Sequence, residues 1–441
     1  MSTTDEGRPA ASPTDKERIR KRSFLIHGRQ HTRQWDYEHH VVPPLSSSVT
    51  YRLESAERGA MGFQEFARED LRTPGHAPVY IYDRLDEPTR AMLEDHLAVA
   101  ESGEMAICFS TGMAAISAAL GTLCRAGDHF VAHRVLYGCT YSFMTSWLPR
   151  FNVTGTYVDM TRLEQLDAAI KPETRAVYFE TPTNPTLEII DIRAVAALVA
   201  RHNAGRAPEH RIHVVVDNTF ATPAGQRPLE LGADLVAASL TKGIGGFGTD
   251  MGGVVIGARH HEPDLLLFRK DFGGALSPKS AWPILVYGLP SLELRLRRQQ
   301  EIAAIVADYL ASHPRIERVH YPGRADFPWA DLAKTQMLDF DGKFAPGFMI
   351  YFELKGGPEE RFKDARRLVD DIAENGYTLT LAVSLGQLRS LIEMPAAMTH
   401  AVVPDEVKRG GGIDPGGIRL SIGVEDPADI IRDLDEALAR L

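Results

Sequence analysis

The feature that most constrains the fold is a rhythm in the middle of the chain, where short apolar runs alternate with stretches of helical spacing. The runs are Phe130-Val131-Ala132, 153–158, 176–179, 214–216 and 235–238; helical spacing occupies 141–148, 163–170 and 192–202. Helix-sized segments between buried strands imply crossover units, and these imply a mostly parallel sheet covered on both faces. Upstream, Met92, Leu93, His96 and Leu97 have helical spacing, and 113–123 reads as a helix opened by Ser110-Thr111-Gly112. After Pro290 a charged helix at 292–310 leads to a strand at 348–354, an amphipathic helix at 361–374 and a strand at 417–422. That is the texture of a smaller α+β unit. The expected division is a tail and arm over 1–86, a large α/β unit over 87–291 and a small C-terminal unit over 292–441.

With 44% hydrophobic and 24% charged residues over 441 positions, the composition is that of a soluble globular protein. No apolar stretch nears the roughly 20 residues of a membrane span. A net charge of −10 without a basic block argues against a nucleic-acid partner, so a small-molecule partner is expected. Cys108, Cys124 and Cys139 are odd in number and lack ligand spacing, which fits a reducing cytoplasm without disulfides or zinc. Residues 1–23 read as a disordered tail, and 60–78 as a long loop placed to shape a substrate entrance. His39-His40 and His260-His261 are adjacent pairs, a spacing unsuited to one metal, and no metal site is expected. Gly243-Ile244-Gly245-Gly246-Phe247-Gly248 matches a dinucleotide fingerprint but follows a lysine-bearing loop instead of opening a strand–helix unit.

Candidate chemistry lies where the strands end. Val214-Val215-Val216 stops at Asp217, and Ser239-Leu240-Thr241-Lys242 follows the run at 235–238. A lysine behind two hydroxyls, after a strand-end aspartate, suits condensation with the aldehyde of pyridoxal phosphate, and the hydroxyls suit its phosphate. Asp217 either keeps a pyridine nitrogen protonated or caps its own loop. Gly112 and Met113 offer helix-start amides to a phosphate, or form a plain N-cap. Tyr137 stacks on a ring or packs in a core. Tyr82 and Arg84 suit a phosphate or sit on an edge strand, and Asn184 lies in a proline-braced turn that faces a ligand or nothing. Arg419, among apolar strand neighbours, wants a substrate carboxylate or a structural ion pair.

Taken in order, these segments resemble the cysteine and methionine metabolism family of pyridoxal phosphate enzymes, which includes cystathionine γ-synthase, cystathionine γ-lyase and methionine γ-lyase. The resemblance runs from about residue 42 to 432. It rests on Tyr82-Asp83-Arg84 with Pro88-Thr89, Ser110-Thr111-Gly112-Met113, Tyr137-Gly138-Cys139-Thr140, Thr181-Pro182-Thr183-Asn184-Pro185, Asp217-Asn218-Thr219, Ser239 to Lys242, Met398-Thr399-His400 and Arg419-Leu420-Ser421. It implies an aspartate-aminotransferase-like fold of type I. By this resemblance Lys242 forms the internal aldimine, Asp217 pairs with the pyridinium, and Tyr137 stacks on the ring and assists the leaving group. Gly112, Met113, Ser239 and Thr241 hold the phosphate; Tyr82 and Arg84 reach a neighbouring subunit's phosphate; and Cys139, Asn184, Ser384 and Arg419 meet the substrate. A homotetramer of site-sharing dimers is implied.

Cys139 and the pair Lys270-Asp271 look more like methionine γ-lyase than the synthases. The expected reaction is therefore γ-elimination, a carbon–sulfur lyase activity, with γ-replacement on a homoserine ester or sulfonium amino acid as the alternative and a turnover-free binding protein as the third reading. Departures from the family pattern are Asp86-Glu87 before Pro88, Gly243 in place of an aromatic residue, and Phe247 and Thr249 in place of His and Asp. Arg389 stands where relatives carry glutamate, a swap expected to admit an anionic group near the substrate mouth.

Overall fold

Seven strands form the large sheet: β1 Met105–Phe109, β2 His129–His133, β3 Thr154–Val158, β4 Thr174–Glu180, β5 His213–Asp217, β6 Leu235–Ser239 and β7 Gly253–Gly257. Their spatial order is β1-β7-β6-β5-β4-β2-β3, with β2 to β6 parallel and β7 antiparallel to both neighbours. The computed structural model describes residues 19–28, 40–68 and 79–441.

The apolar runs behave as crossover strands because alternate side chains feed opposite layers. Val177, Phe179, Val214 and Val216 join one cluster with Val195, Leu198 and Val199 of the helix Ile192–Asn203. Ala176, Tyr178, Val215 and Ala237 join another with Ala115, Ala119 and Leu120 of the helix Gly112–Leu123. The antiparallel pair β1 and β7 is legible only here, since glycines bound β7 on both sides.

A second sheet holds β8 Ile316–His320, β9 Met349–Leu354, β10 Thr380–Leu381, β11 Leu391–Glu393 and β12 Ile418–Ser421, in the order β10-β11-β12-β9-β8. The helices Pro358–Asn375 and Pro427–Ala439 bury their apolar residues in the same core cluster as β9 and β12. Between the sheets runs the helix Leu289–Ser312, whose Gln299 amide donates to the carbonyls of Gln387 and Ile422 at 3.0 and 2.9 Å.

Two expectations are corrected. Lys21–His27 is a helix, with Leu25 buried and Arg22 paired to Glu293 and Asp341, so the tail reading fails from residue 21 onward. Residues 19 and 20 are exposed and outside any helix or strand, and residues 1–18 of that call lie outside the described residues. The segment 60–78 begins within a helix, Ala56–Glu65, capped by Ser55 on the Arg58 amide; residues 69–78 are not described. Gly62 serves close packing there, because a Cβ would lie 2.8 Å from Ile81 and 2.9 Å from Val79. Among the described residues no helix is long and apolar enough to cross a membrane.

Candidate active site

At the C-terminal ends of β4, β5 and β6 the backbone delivers Glu180, Asp217 and Ser239 to one cavity of about 520 Å³, the edge where open α/β sheets place ligands. Eleven expected residues line it: Gly112, Met113, Tyr137, Cys139, Asn184, Asp217, Ser239, Thr241, Lys242, Ser384 and Arg419. Tyr82 and Arg84 do not; both are exposed, and Arg84 donates to the Lys270 carbonyl at 2.6 Å. Arg389 is likewise exposed and outside the cavity lining.

Lys242 sits in a single wide turn, Leu240–Ile244, and leaves helical geometry there (φ −92°, ψ −134°). Its Nζ donates to Ser384 Oγ at 2.7 Å. Burial, and next the Arg419 guanidinium, push its amine down to about 8. The turn is clamped from the long helix by Arg295, which donates to the carbonyls of Gly243, Ile244 and Gly288. Gly243 is needed bare because a Cβ there would lie 2.9 Å from Thr222.

Asp217 Oδ1 accepts the Thr219 amide at 2.9 Å, and Oδ2 accepts the Tyr178 hydroxyl at 3.3 Å. Burial raises its proton affinity, and no cation pairs with it among the described residues. Beside it, Glu180 accepts the Tyr137 amide at 2.7 Å. The Tyr137 hydroxyl accepts the Cys139 thiol at 3.4 Å, and burial followed by Cys139 holds that phenol above its usual range. Thr111 caps its helix by accepting the Ala114 amide at 3.0 Å, and the first residues of that helix, Gly112 and Met113, line the cavity with Ser239.

Arg419 crosses between the units. It donates to Asn184 Oδ1 at 2.9 Å and to the Ser384 carbonyl at 3.0 Å, and pairs with Glu393 at 2.9 Å. Ser384 holds φ +89°, a strained backbone for a non-glycine residue, and so turns both its hydroxyl and its carbonyl toward the site. His400 Nε2 donates to the Asn184 carbonyl at 3.1 Å, and Thr399 to Glu393 at 2.8 Å. Sequence reasoning missed Glu180, Thr219 and Glu393 as site residues. The available signal for Glu180 was its place at the end of the strand run next to that of Asp217.

The donor set fits pyridoxal phosphate: a buried carboxylate without a cation suits a pyridinium, helix-start amides with two hydroxyls suit a phosphate, and a readily neutralised lysine suits an aldehyde. A lysine just past the end of a parallel-sheet strand, sharing one cavity with such a carboxylate, defines a fold type I pyridoxal phosphate enzyme. Residues 22–439 match the model of the Cys/Met metabolism PLP-dependent enzymes. The chain is 41% identical over 403 residues to the L-methionine γ-lyase of Fusobacterium nucleatum subsp. polymorphum, covering 91% of this chain and 94% of that protein. It is 40% identical to the cystathionine γ-lyase of Bacillus subtilis (strain 168), over 82% of this chain and 89% of that one. The crystal structure of cystathionine γ-lyase from Lactobacillus plantarum complexed with L-serine superposes with a TM-score of 0.81 at 34% identity, over 96% of this chain and 99% of that one. The chain belongs to the Cys/Met metabolism family of PLP-dependent enzymes.

Proposed function

We propose that the protein catalyses γ-elimination from an L-amino acid bearing an apolar thioether, converting it with water to a 2-oxo acid, ammonia and a thiol. The observation that carries this reading is one cavity presenting Lys242 as base and the Tyr137 hydroxyl, in contact with Cys139, as acid. When bound, the cofactor supplies the electron sink for carbanion chemistry beside the amino group. Asp217 would pair with its ring nitrogen, Tyr137 would stack on its ring, and Gly112, Met113, Ser239 and Thr241 would hold its phosphate. Arg419, backed by Asn184 and the Ser384 carbonyl, binds the substrate carboxylate. Lys242 Nζ takes the proton from Cα, hands it on, and then takes one from Cβ so that the Cγ–sulfur bond can break; each abstraction requires a neutral amine, and its downward displacement to about 8 brings that form within reach. Tyr137 then protonates the departing sulfur.

Met251, Val383 and Val402 are exposed apolar side chains at the cavity lining, which favours an uncharged γ substituent. Among the described residues the phosphate end offers only amides and hydroxyls from this chain, which supports a site completed by Tyr82 and Arg84 of a second copy, within a homotetramer of such dimers. A cytoplasmic setting fits the free thiols Cys108, Cys124 and Cys139. Product analysis tests the reaction: 2-oxobutyrate and a thiol are expected from methionine alone. Turnover confined to an O-acylhomoserine or S-adenosylmethionine with added thiol would establish γ-replacement instead, and failure of all three substrates would sink both.

A further inference from the structure

Glu180 is a buried carboxyl that the roles above leave unused. It ends β4 in register with Asp217 at the end of β5, and both line the cavity. Its Oε1 accepts the Tyr137 amide at 2.7 Å, and the Asn184 amide is a second backbone donor to it. One carboxyl therefore ties the turn carrying the ring-facing tyrosine to the turn carrying the substrate-orienting asparagine.

Among the described residues no cation answers it. Lys242 and Arg419 line the same cavity, but Lys242 Nζ donates to Ser384, and Arg419 is paired with Glu393. The other polar groups facing it are Asp217 from β5, Tyr178 from β4 and Tyr137 from the turn after β2. Burial, and then the Asp217 charge, raise the proton affinity of Glu180 well above the carboxylate range. Two adjacent carboxyls without a cation cannot both ionise cheaply in a buried site. Each carboxyl accepts two donors, so the choice falls on the cofactor: Asp217, which would pair with its ring nitrogen, is the one that keeps the charge.

We propose that Glu180 is a positioning residue held as the neutral carboxylic acid, whose carbonyl oxygen fixes Tyr137 and Asn184 while Asp217 alone presents negative charge to the cofactor ring. The assignment rests on the cofactor role of Asp217 and not on the γ-elimination reading. Ionisation of both would place a second negative charge beside the ring nitrogen and compete with Asp217 for its proton.

The test is infrared difference spectroscopy of the holoenzyme at neutral pH, wild type against Glu180→Gln. A carboxylic-acid carbonyl band assigned to Glu180 is expected; carboxylate bands in its place overturn the proposal. Where the Gln protein does not accumulate, Glu180→Met reads the same band. In kinetics, Glu180→Asp, too short to reach the Tyr137 amide, is expected to lose about tenfold more kcat/KM than Glu180→Gln, the worth of one hydrogen bond. The opposite order would show that charge, not the acid's shape, matters and would also overturn it. The infrared band needs no turnover, so it remains readable if every γ-substituted substrate fails.

Discussion

Lys242 shows how position converts an ordinary residue into a reagent. In the unfolded chain its amine titrates near 10.5, and in the folded protein burial and Arg419 bring it to about 8. A lysine whose charged form folding disfavours weakens the protein at every pH where it is protonated in the unfolded chain. In cofactor-free protein that penalty is absent above about 10.5, grows as pH falls to about 8 and is constant below, reaching at most about 3 kcal/mol. Cofactor-free wild type is therefore expected to gain stability relative to Lys242→Met between pH 8 and 10.5 in denaturant titrations. A gap that does not change over that window would show that the lysine is not held in a desolvated site. Arg389 makes the converse point, since its charge reversal suggested a role at the mouth, yet it lies outside the cavity lining and exposed.

At the scale of elements, the register of β11 against β12 places Glu393 directly opposite Arg419. Both side chains are buried, at 1% and 2% exposure, so their pairing decides whether the guanidinium is tolerated there at all. Sequence alone left Arg419 between a substrate contact and a structural ion pair. The structure shows the ion pair, and the same side chain also lines the cavity, so the two readings are not exclusive. Glu393→Ala is expected to destabilise the protein by about 3–5 kcal/mol in denaturant titrations, because it leaves a buried charge uncompensated. A change below about 1 kcal/mol would mean that Asn184 and the Ser384 carbonyl suffice. The same strand edge brings Gly386, at φ +76°, against the lysine turn, where a Cβ would lie 2.5 Å from the Gly243 amide nitrogen. The two glycines permit a backbone contact that locks one unit onto the other.

For the whole molecule, mixing two inactive variants reads directly whether a second copy completes each site. Tyr82 and Arg84 stack loosely on one another at the surface, 5.7 Å from guanidinium to ring centroid, with nothing of their own site to serve. If they complete a neighbour's phosphate site, a Lys242→Ala protein and an Arg84→Ala protein are each inactive, while unfolding and refolding them together restores activity through mixed dimers. Each mixed dimer then has one intact site. No recovery on mixing, with dimers present by light scattering, would place both residues in a role confined to their own chain.

The alternating runs determined the α/β class, and Phe179, Val216 and Ala238 could be assigned to buried strands before any coordinates. Local spacing is enough for that, because a strand buried on both faces must be apolar at successive positions. The anchor residues Asp217, Gly112 and Lys242 were legible for a similar reason, as each sits at the end of its own element. Gly62 misled, because close packing against Val79 and Ile81 uses the same residue as a loop does. Glu180 and Glu393 were not legible, and neither was the neighbour of Arg419. Their roles depend on which strands lie side by side and in what register, a long-range pairing that no local pattern encodes and that only the tertiary structure decided.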